Sequence, residues 1–234
     1  MTNEIRRNYF NAIEMRSIDS ALADSIRKLV DDASNAAKTD EHGSWDFGIE
    51  SNRKGTRWTA LNWDLYGFGN DTHSGKLLIV IQIRRSSTER GRYVNVRKNY
   101  FLVGTNEDDS TFAHPVESVV VHAAIRKGKD VILAVQDWIF GGDYAGMLRQ
   151  GDLALIPMRR RPAKDSRIAK RTMTIEGSHE LKASSIWHNG GLYAKDPTLT
   201  HTPGTHPVVA AKGIYKIVVG NRADFWRFAA PTVD

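Results

Sequence analysis

The chain has 234 residues, of which 41% are hydrophobic and 26% are charged, and it contains no cysteine. This balance is that of an ordinary globular protein with a core to bury, which excludes a wholly disordered chain. No apolar run approaches the ~20 residues that cross a bilayer, and no apolar stretch follows the basic residues near the N-terminus. We therefore expect no membrane association and a cytoplasmic location. The missing cysteines exclude disulfides and thiolate chemistry.

The net charge of +6 is concentrated in two basic blocks. Residues 52–98 carry ten basic and three acidic side chains, and residues 149–171 carry eight basic and two acidic ones. The segment between them, 99–148, is net acidic. Such clustering is typical of proteins that bind polyanions, and a solvated surface or a loop is the alternative interpretation.

The first predicted elements are one helix and three strands. Apolar residues recur at three- and four-residue steps over 18–36, which predicts an amphipathic helix. Strand patterns then cover 56–66, 76–84 and 93–104, with glycine-rich and polar turns between them. Three successive strands with short turns predict an antiparallel meander.

Helical patterns return after the meander. The pair His114-Pro115 precedes an apolar stripe over 116–127, and a proline near the first turn indicates the start of a helix. Residues 131–140 are compatible with a strand or a helix. Residues 144–149 are predicted as a short helical turn.

The C-terminal part is predicted as a small β module. It begins with a strand at 153–158, continues through a basic, proline-flanked loop at 159–171, and returns to a strand at 172–176. Asn189-Gly190-Gly191 predicts a hairpin turn, because asparagine and glycine tolerate positive φ. The fold class we expect is α+β, with an antiparallel sheet and helices over 1–148 and a mostly β module over 149–234.

Histidines in this module form the first candidate site. Four of the eight histidines lie within 28 residues of predicted strands and turns. His179, His201 and His206, with the carboxylate of Glu180, have the ligand types of a divalent metal site. Two of the imidazoles could instead act as acid and base in phosphodiester cleavage. A third interpretation is that they satisfy backbone groups at turns. Either functional interpretation requires the three imidazoles to converge.

Four short motifs in the same region resemble an uncharacterised family of small bacterial and phage proteins. They are Gln150-Gly151-Asp152, Gly177-Ser178-His179, His201 with His206, and Gly213-x-Tyr215. The resemblance covers about the last 85 residues. This chain departs from the family pattern because Thr-Pro-Gly-Thr, without an acidic pair, separates the two later histidines. The resemblance implies that the histidines act together, and it implies no particular activity.

The basic blocks form the second candidate site. Arginine and lysine bind phosphates, and aromatic rings between them can stack on unpaired bases. Tyr100 and Phe101 belong to an apolar run and are expected in the core, so charge rather than stacking supports this interpretation. The residues predicted to contact nucleic acid are Arg84, Arg85, Arg92, Arg97, Lys98, Arg159, Arg160, Arg161, Arg167, Lys170 and Arg171.

No Walker loop, dinucleotide fingerprint, zincin helix or nucleophile elbow occurs in the chain. The leading hypothesis is a protein that binds RNA or single-stranded nucleic acid and can process it, with the basic blocks holding the backbone. One alternative is a non-enzymatic interaction protein of phage or mobile-element type that docks an acidic partner. Another is a metal-binding β module.

Overall fold

In a computed structural model, the described residues fold into three α-helices and three antiparallel sheets, which confirms the predicted α+β class. Among the described residues, no helix combines the length and apolar character needed to span a bilayer. The structure describes residues 12–39, 52–54, 57–71, 74–90, 92–106, 109, 111–142, 146–151, 153–160, 166–168, 171–201 and 208–223.

The helices follow a single 3₁₀ turn at Met15–Ser17. They are α1 (Ser20–Thr39), α2 (Ser118–Arg126) and α3 (Val131–Phe140). The strands are β1 (Asn52–Lys54), β2 (Arg57–Asn70), β3 (Leu77–Glu89), β4 (Arg92–Thr105), β5 (Thr111–Val116), β6 (Leu148–Gln150), β7 (Leu153–Met158), β8 (Ser166–Ile168), β9 (Thr172–Ile175), β10 (His179–Lys182), β11 (Ser185–His188), β12 (Leu192–Lys195), β13 (Thr198–His201), β14 (Val209–Ala210) and β15 (Ile214–Val219).

The predicted meander is the centre of a five-stranded sheet with the order β1-β2-β3-β4-β5. Its three middle strands are 13 or 14 residues long. Alternate residues of a strand face opposite sides, so each of these strands contributes to two cores. One core packs Ile26 of α1 against Ile81 and Phe101. The other packs Val80 and Leu102 against α2 and α3.

Two predictions at the helices are settled or corrected. Residues 131–140 form a helix, because the Asp130 carboxylate accepts from the Leu133 amide at its start and Gly141 adopts left-handed backbone at its end. The prediction that Pro115 starts a helix is wrong. Pro115 lies in β5 opposite Phe101, and α2 begins three residues later at Ser118. An edge strand tolerates proline, since a missing N–H there breaks no central ladder.

The C-terminal residues form two further sheets around one shared core. The sheet orders are β14-β13-β10-β9 and β6-β7-β15-β12-β11-β8. Leu155, Leu181 and Leu199 are fully buried between them. The predicted helical turn at 144–149 is wrong where the structure describes it, since residues 148–150 pair with β7. The predicted loop at 159–171 contains β8, which pairs with β11.

Arg149 links the two halves of the described chain. Only 6% of its surface is exposed, and its Nη2 lies 3.6 Å from the Asp71 carboxylate. The guanidinium also lies over the rings of Phe112 and Phe140, at 5.5 and 5.9 Å from their centroids. Met147 beside it packs into the core that α2 and α3 cover. Separating Arg149 from Asp71 would leave a buried charge without its partner, which is strongly destabilising. The pair therefore holds the two halves together at this contact.

His114 fastens the end of the described chain to β5. Its Nε2 lies 2.6 Å from the carbonyl oxygen of Asn221, and the Asn221 side chain donates to the carbonyl of Trp138 at 2.8 Å. Burial lowers the pKa of His114 to about 4, with small contributions from Arg222 and Arg149 that add to this effect, while the hydrogen bond to Asn221 opposes it. The imidazole is therefore neutral at pH 7, and its Nε2–H donates to Asn221.

This arrangement predicts a stability that depends on pH. As pH falls from about 6.5 towards 4, the unfolded chain takes up a proton at His114 before the folded chain does. Stability is complete above about 6.5 and is lost through that window. A His114→Gln variant keeps a neutral donor and should lose less stability. Urea unfolding at pH 7.5 and pH 5 checks this, and equal losses in both proteins would contradict it.

Candidate functional site

Two of the three predicted site histidines lie together. His179 in β10 is the register partner of His201 in β13, and their ring centroids are 4.6 Å apart with the planes at 71°. His179 is 3% exposed, and its Nδ1 lies 3.1 Å from the Ser178 hydroxyl oxygen. His206 lies outside the described residues. The cross-strand register thus brings together two imidazoles that are 22 positions apart in sequence.

Glu180 takes no part in this histidine pair. It follows His179 in the same strand, so its side chain is on the opposite face of the sheet. Its carboxylate pairs with Lys182 at 2.6 Å. In the part of the chain that the structure describes, no three histidine, aspartate or glutamate side chains are placed to hold one metal ion.

The predicted basic residues are spread over several elements. Arg84 and Lys98 are register partners across β3 and β4, and both are partly buried. Arg85 and Arg97 are also partners, and Arg92 lies opposite Glu89. Among the predicted residues of the second block, Arg159, Arg160 and Arg171 are exposed, and Arg167 lies in β8. Arg161 and Lys170 lie outside the described residues.

A buried polar cluster, which the sequence did not reveal, lies beside Arg84 and Lys98. Gln82 is 2% exposed, and its side-chain amide donates to the hydroxyls of Tyr66, at 3.2 Å, and Tyr100. The Tyr100 hydroxyl lies 2.9 Å from Nε2 of His122 on α2. The rings of Tyr66, Tyr100 and His122 stack edge to face. We call Tyr66, Gln82, Tyr100 and His122 the tyrosine–histidine cluster.

The electrostatics of the cluster follow from its burial. Burial raises the pKa of both tyrosines, so they remain neutral hydrogen-bond donors. Burial also lowers the pKa of His122, and the neighbouring cations Lys98 and Arg126 lower it further. A neutral His122 can accept at Nε2 from Tyr100, whose own oxygen accepts from Gln82. This direction applies to the tautomer of His122 that carries its proton on Nδ1.

Three cations border the cluster where the sheet face opens to solvent. Lys98 lies two residues before Tyr100 on the same face of β4, and Arg84 is its register partner. Arg126 lies one turn after His122 on α2, and its Nε donates to the His122 carbonyl at 3.3 Å. Val96, the next residue on the face of Lys98, is 47% exposed, so α2 no longer covers the sheet there. We call Arg84, Lys98 and Arg126 the cationic rim.

One signal in the sequence could have revealed this cluster. Gln82 is the only polar residue in the run from Leu77 to Ile83, where a buried strand has no water to satisfy it. Such a residue requires partners on the neighbouring strands. Its register partners, however, depend on the pairing of β2, β3 and β4, which only the structure provides.

Comparison with known protein families, with curated proteins and with solved structures finds no match for this chain.

The hydrogen bonds of the cluster predict coupled effects on stability. Gln82→Leu and Tyr100→Phe should each cost about 1–3 kcal/mol, because each leaves buried polar groups without a partner. The double variant should cost less than the sum, by about 0.5 kcal/mol or more. Urea unfolding of all four proteins measures this coupling.

The control is a second double-mutant cycle that combines Gln82→Leu with Tyr215→Phe. Tyr215 packs against the C-terminal core. Those two changes should add. If the losses in unfolding free energy from Gln82→Leu and Tyr100→Phe also add, Gln82 and Tyr100 do not act as one network.

Proposed function

We propose that this protein binds single-stranded nucleic acid, RNA in particular, with the cationic rim as a phosphate contact. The supporting observation is the placement of Arg84 and Lys98 side by side across two strands, both partly buried, at the edge of a solvent-open sheet face. Such positions are unusual for cations, which are mostly fully exposed.

The electrostatic environment of Lys98 and Arg84 favours binding of an anion. Burial and the adjacent Arg84 lower the pKa of Lys98, whereas Asp64 raises it. The positive charge on Lys98 is thus less favourable than in water. Like charges directly opposite each other on a sheet repel, and a phosphate bound beside them would add an attractive contact to each.

The shape of the sheet favours a single strand. β3 and β4 continue past Lys98 as a long hairpin that carries further basic residues of the first block, Arg90 and Arg92 among them. An extended single-stranded nucleic acid can lie along an open β-sheet surface, and this is a common mode of single-strand binding. Exposed Arg159, Arg160 and Arg171 supply further charge from the second block.

A salt titration tests this proposal. Binding of a labelled single-stranded RNA is measured by fluorescence anisotropy against salt concentration, because each neutralised phosphate contributes about −0.7 to the slope of log K against log[salt]. Lys98→Gln should flatten the slope by about that amount. Replacing Arg159, Arg160 and Arg161 by alanine should flatten it further.

The matched control is Lys28→Gln, which removes one positive charge from α1, where Lys28 pairs with Asp32. It should bind as the wild type does. If RNA does not bind at low salt, or if Lys98→Gln and Lys28→Gln behave alike, the rim is not a phosphate contact. Binding to an acidic protein partner then becomes the leading hypothesis.

A second candidate function is metal binding by the pair His179 and His201. Their ring separation of 4.6 Å is short enough for one nitrogen of each ring to reach a common ion, since zinc–nitrogen bonds are about 2.0–2.1 Å. The burial of His179 would hold that ring in place.

Zinc calorimetry tests the second candidate. The wild type should bind zinc, and His201→Ala should lose most of that affinity. His188→Ala removes an exposed histidine of the same module and should bind normally. Equal zinc binding by all three proteins would assign any affinity to other groups. RNA cleavage abolished by His201→Ala without added metal would support acid–base chemistry instead.

A further inference from the structure

We propose that His122 and the cationic rim form one phosphate subsite in which His122 takes up a proton when the phosphate binds. This inference rests on the proposed nucleic-acid binding and deepens it, since it names the group that links affinity to pH. The ligand is a phosphate group, carried either by the nucleic-acid backbone or by a free phosphate ion.

The four side chains lie on neighbouring elements beside Tyr100. The hydrogen bond from Tyr100 holds His122 beside β4, and Lys98 lies two residues away on the same strand face. Arg84 is opposite Lys98, and Arg126 is one helical turn from His122. These side chains come from β3, β4 and α2, so one phosphate at the end of α2 can be approached from three elements.

The tyrosine–histidine cluster can accommodate His122 in either protonation state. When His122 is neutral, the Tyr100 hydroxyl donates to its Nε2. When a proton from solvent is added at Nε2, that N–H donates to the Tyr100 oxygen, and the Tyr100 hydroxyl turns to the oxygen of Tyr66. The Gln82 amide donates to both tyrosines in each state. No hydrogen bond between these groups is lost by the change.

The charged groups around His122 decide which state is populated. Lys98 on β4 and Arg126 on α2 oppose a positive charge on His122. Arg84 on β3 and Asp64 on β2 act on Lys98, with opposite effects on its charge. The two tyrosines facing His122 are neutral. A bound phosphate dianion or phosphodiester offsets the repulsion from Lys98 and Arg126. Protonation of His122 and phosphate binding therefore favour each other, as linkage requires.

Isothermal titration calorimetry tests the inference. A single-stranded oligouridylate is titrated at pH 7 in two buffers of different ionisation enthalpy, and the difference gives the protons taken up. The wild type should take up a fraction of a proton, and its affinity should fall as pH rises from 6 to 8, by at most about tenfold per pH unit. His122→Gln should lose the uptake and the pH dependence.

His188→Gln is the matched control, because His188 is exposed on β11, away from the rim. It should behave as the wild type does. In the wild-type protein labelled with ¹³C-histidine, an NMR pH titration should show one histidine whose pKa rises when RNA is added. This readout remains if His122→Gln fails to fold.

The outcomes separate the two proposals. If the oligonucleotide does not bind at low salt, both fail. If it binds without proton uptake, or if His122→Gln retains the uptake, the proton-linked subsite is overturned and nucleic-acid binding stands. A further arm uses inorganic phosphate alone. The same His122-dependent uptake there would show that the subsite recognises phosphate without the nucleic acid.

Discussion

A single buried amide organises the centre of this protein. Gln82 lies in the middle of an otherwise apolar strand, and leaving its side chain unsatisfied would cost several kilocalories per mole in a dry core, of the order of 1–3 kcal/mol for each polar atom. Tyr66 and Tyr100 on the two neighbouring strands accept its hydrogen bonds. A slip of either strand by one residue would turn the tyrosine to the other face, so this contact also fixes the register.

The position of α2 depends on the same contact. Tyr100 receives from Gln82 and can therefore donate to His122, which makes α2 part of a polar network as well as of an apolar core. Val121 and Ala124 bury the rest of the helix against the sheet. Where the apolar residues of this face end, the next positions on the strands are charged. The edge between covered and open sheet is thus where Arg84 and Lys98 lie.

The sequence could predict the elements but not this cluster. Periodicity predicted α1 and the three long strands because each pattern is local and repeats over many residues. Pro115 was misassigned because a proline suits a first helical turn and an edge strand equally, and only the sheet order distinguishes them. His179, His201 and His206 were predicted to converge because they are grouped in one β module. The register of β10 and β13 places His179 beside His201, and His206 lies outside the described residues. Tyr66, Gln82, Tyr100 and His122 span 57 positions, and no local pattern connects them.

Partial burial sets Arg84 and Lys98 apart from the exposed basic residues of the second block, Arg159, Arg160 and Arg171. An exposed lysine is surrounded by water, so a bound phosphate replaces favourable hydration and gains little. Lys98 and Arg84 are partly buried and have therefore lost part of that hydration on folding. Water screens their attraction for an anion less as a result. In the proposed binding mode, the exposed residues of the second block would attract the polyanion at longer range without fixing its position. A polyanion held in this way would be attracted by both blocks but fixed in register at one of them, beside His122.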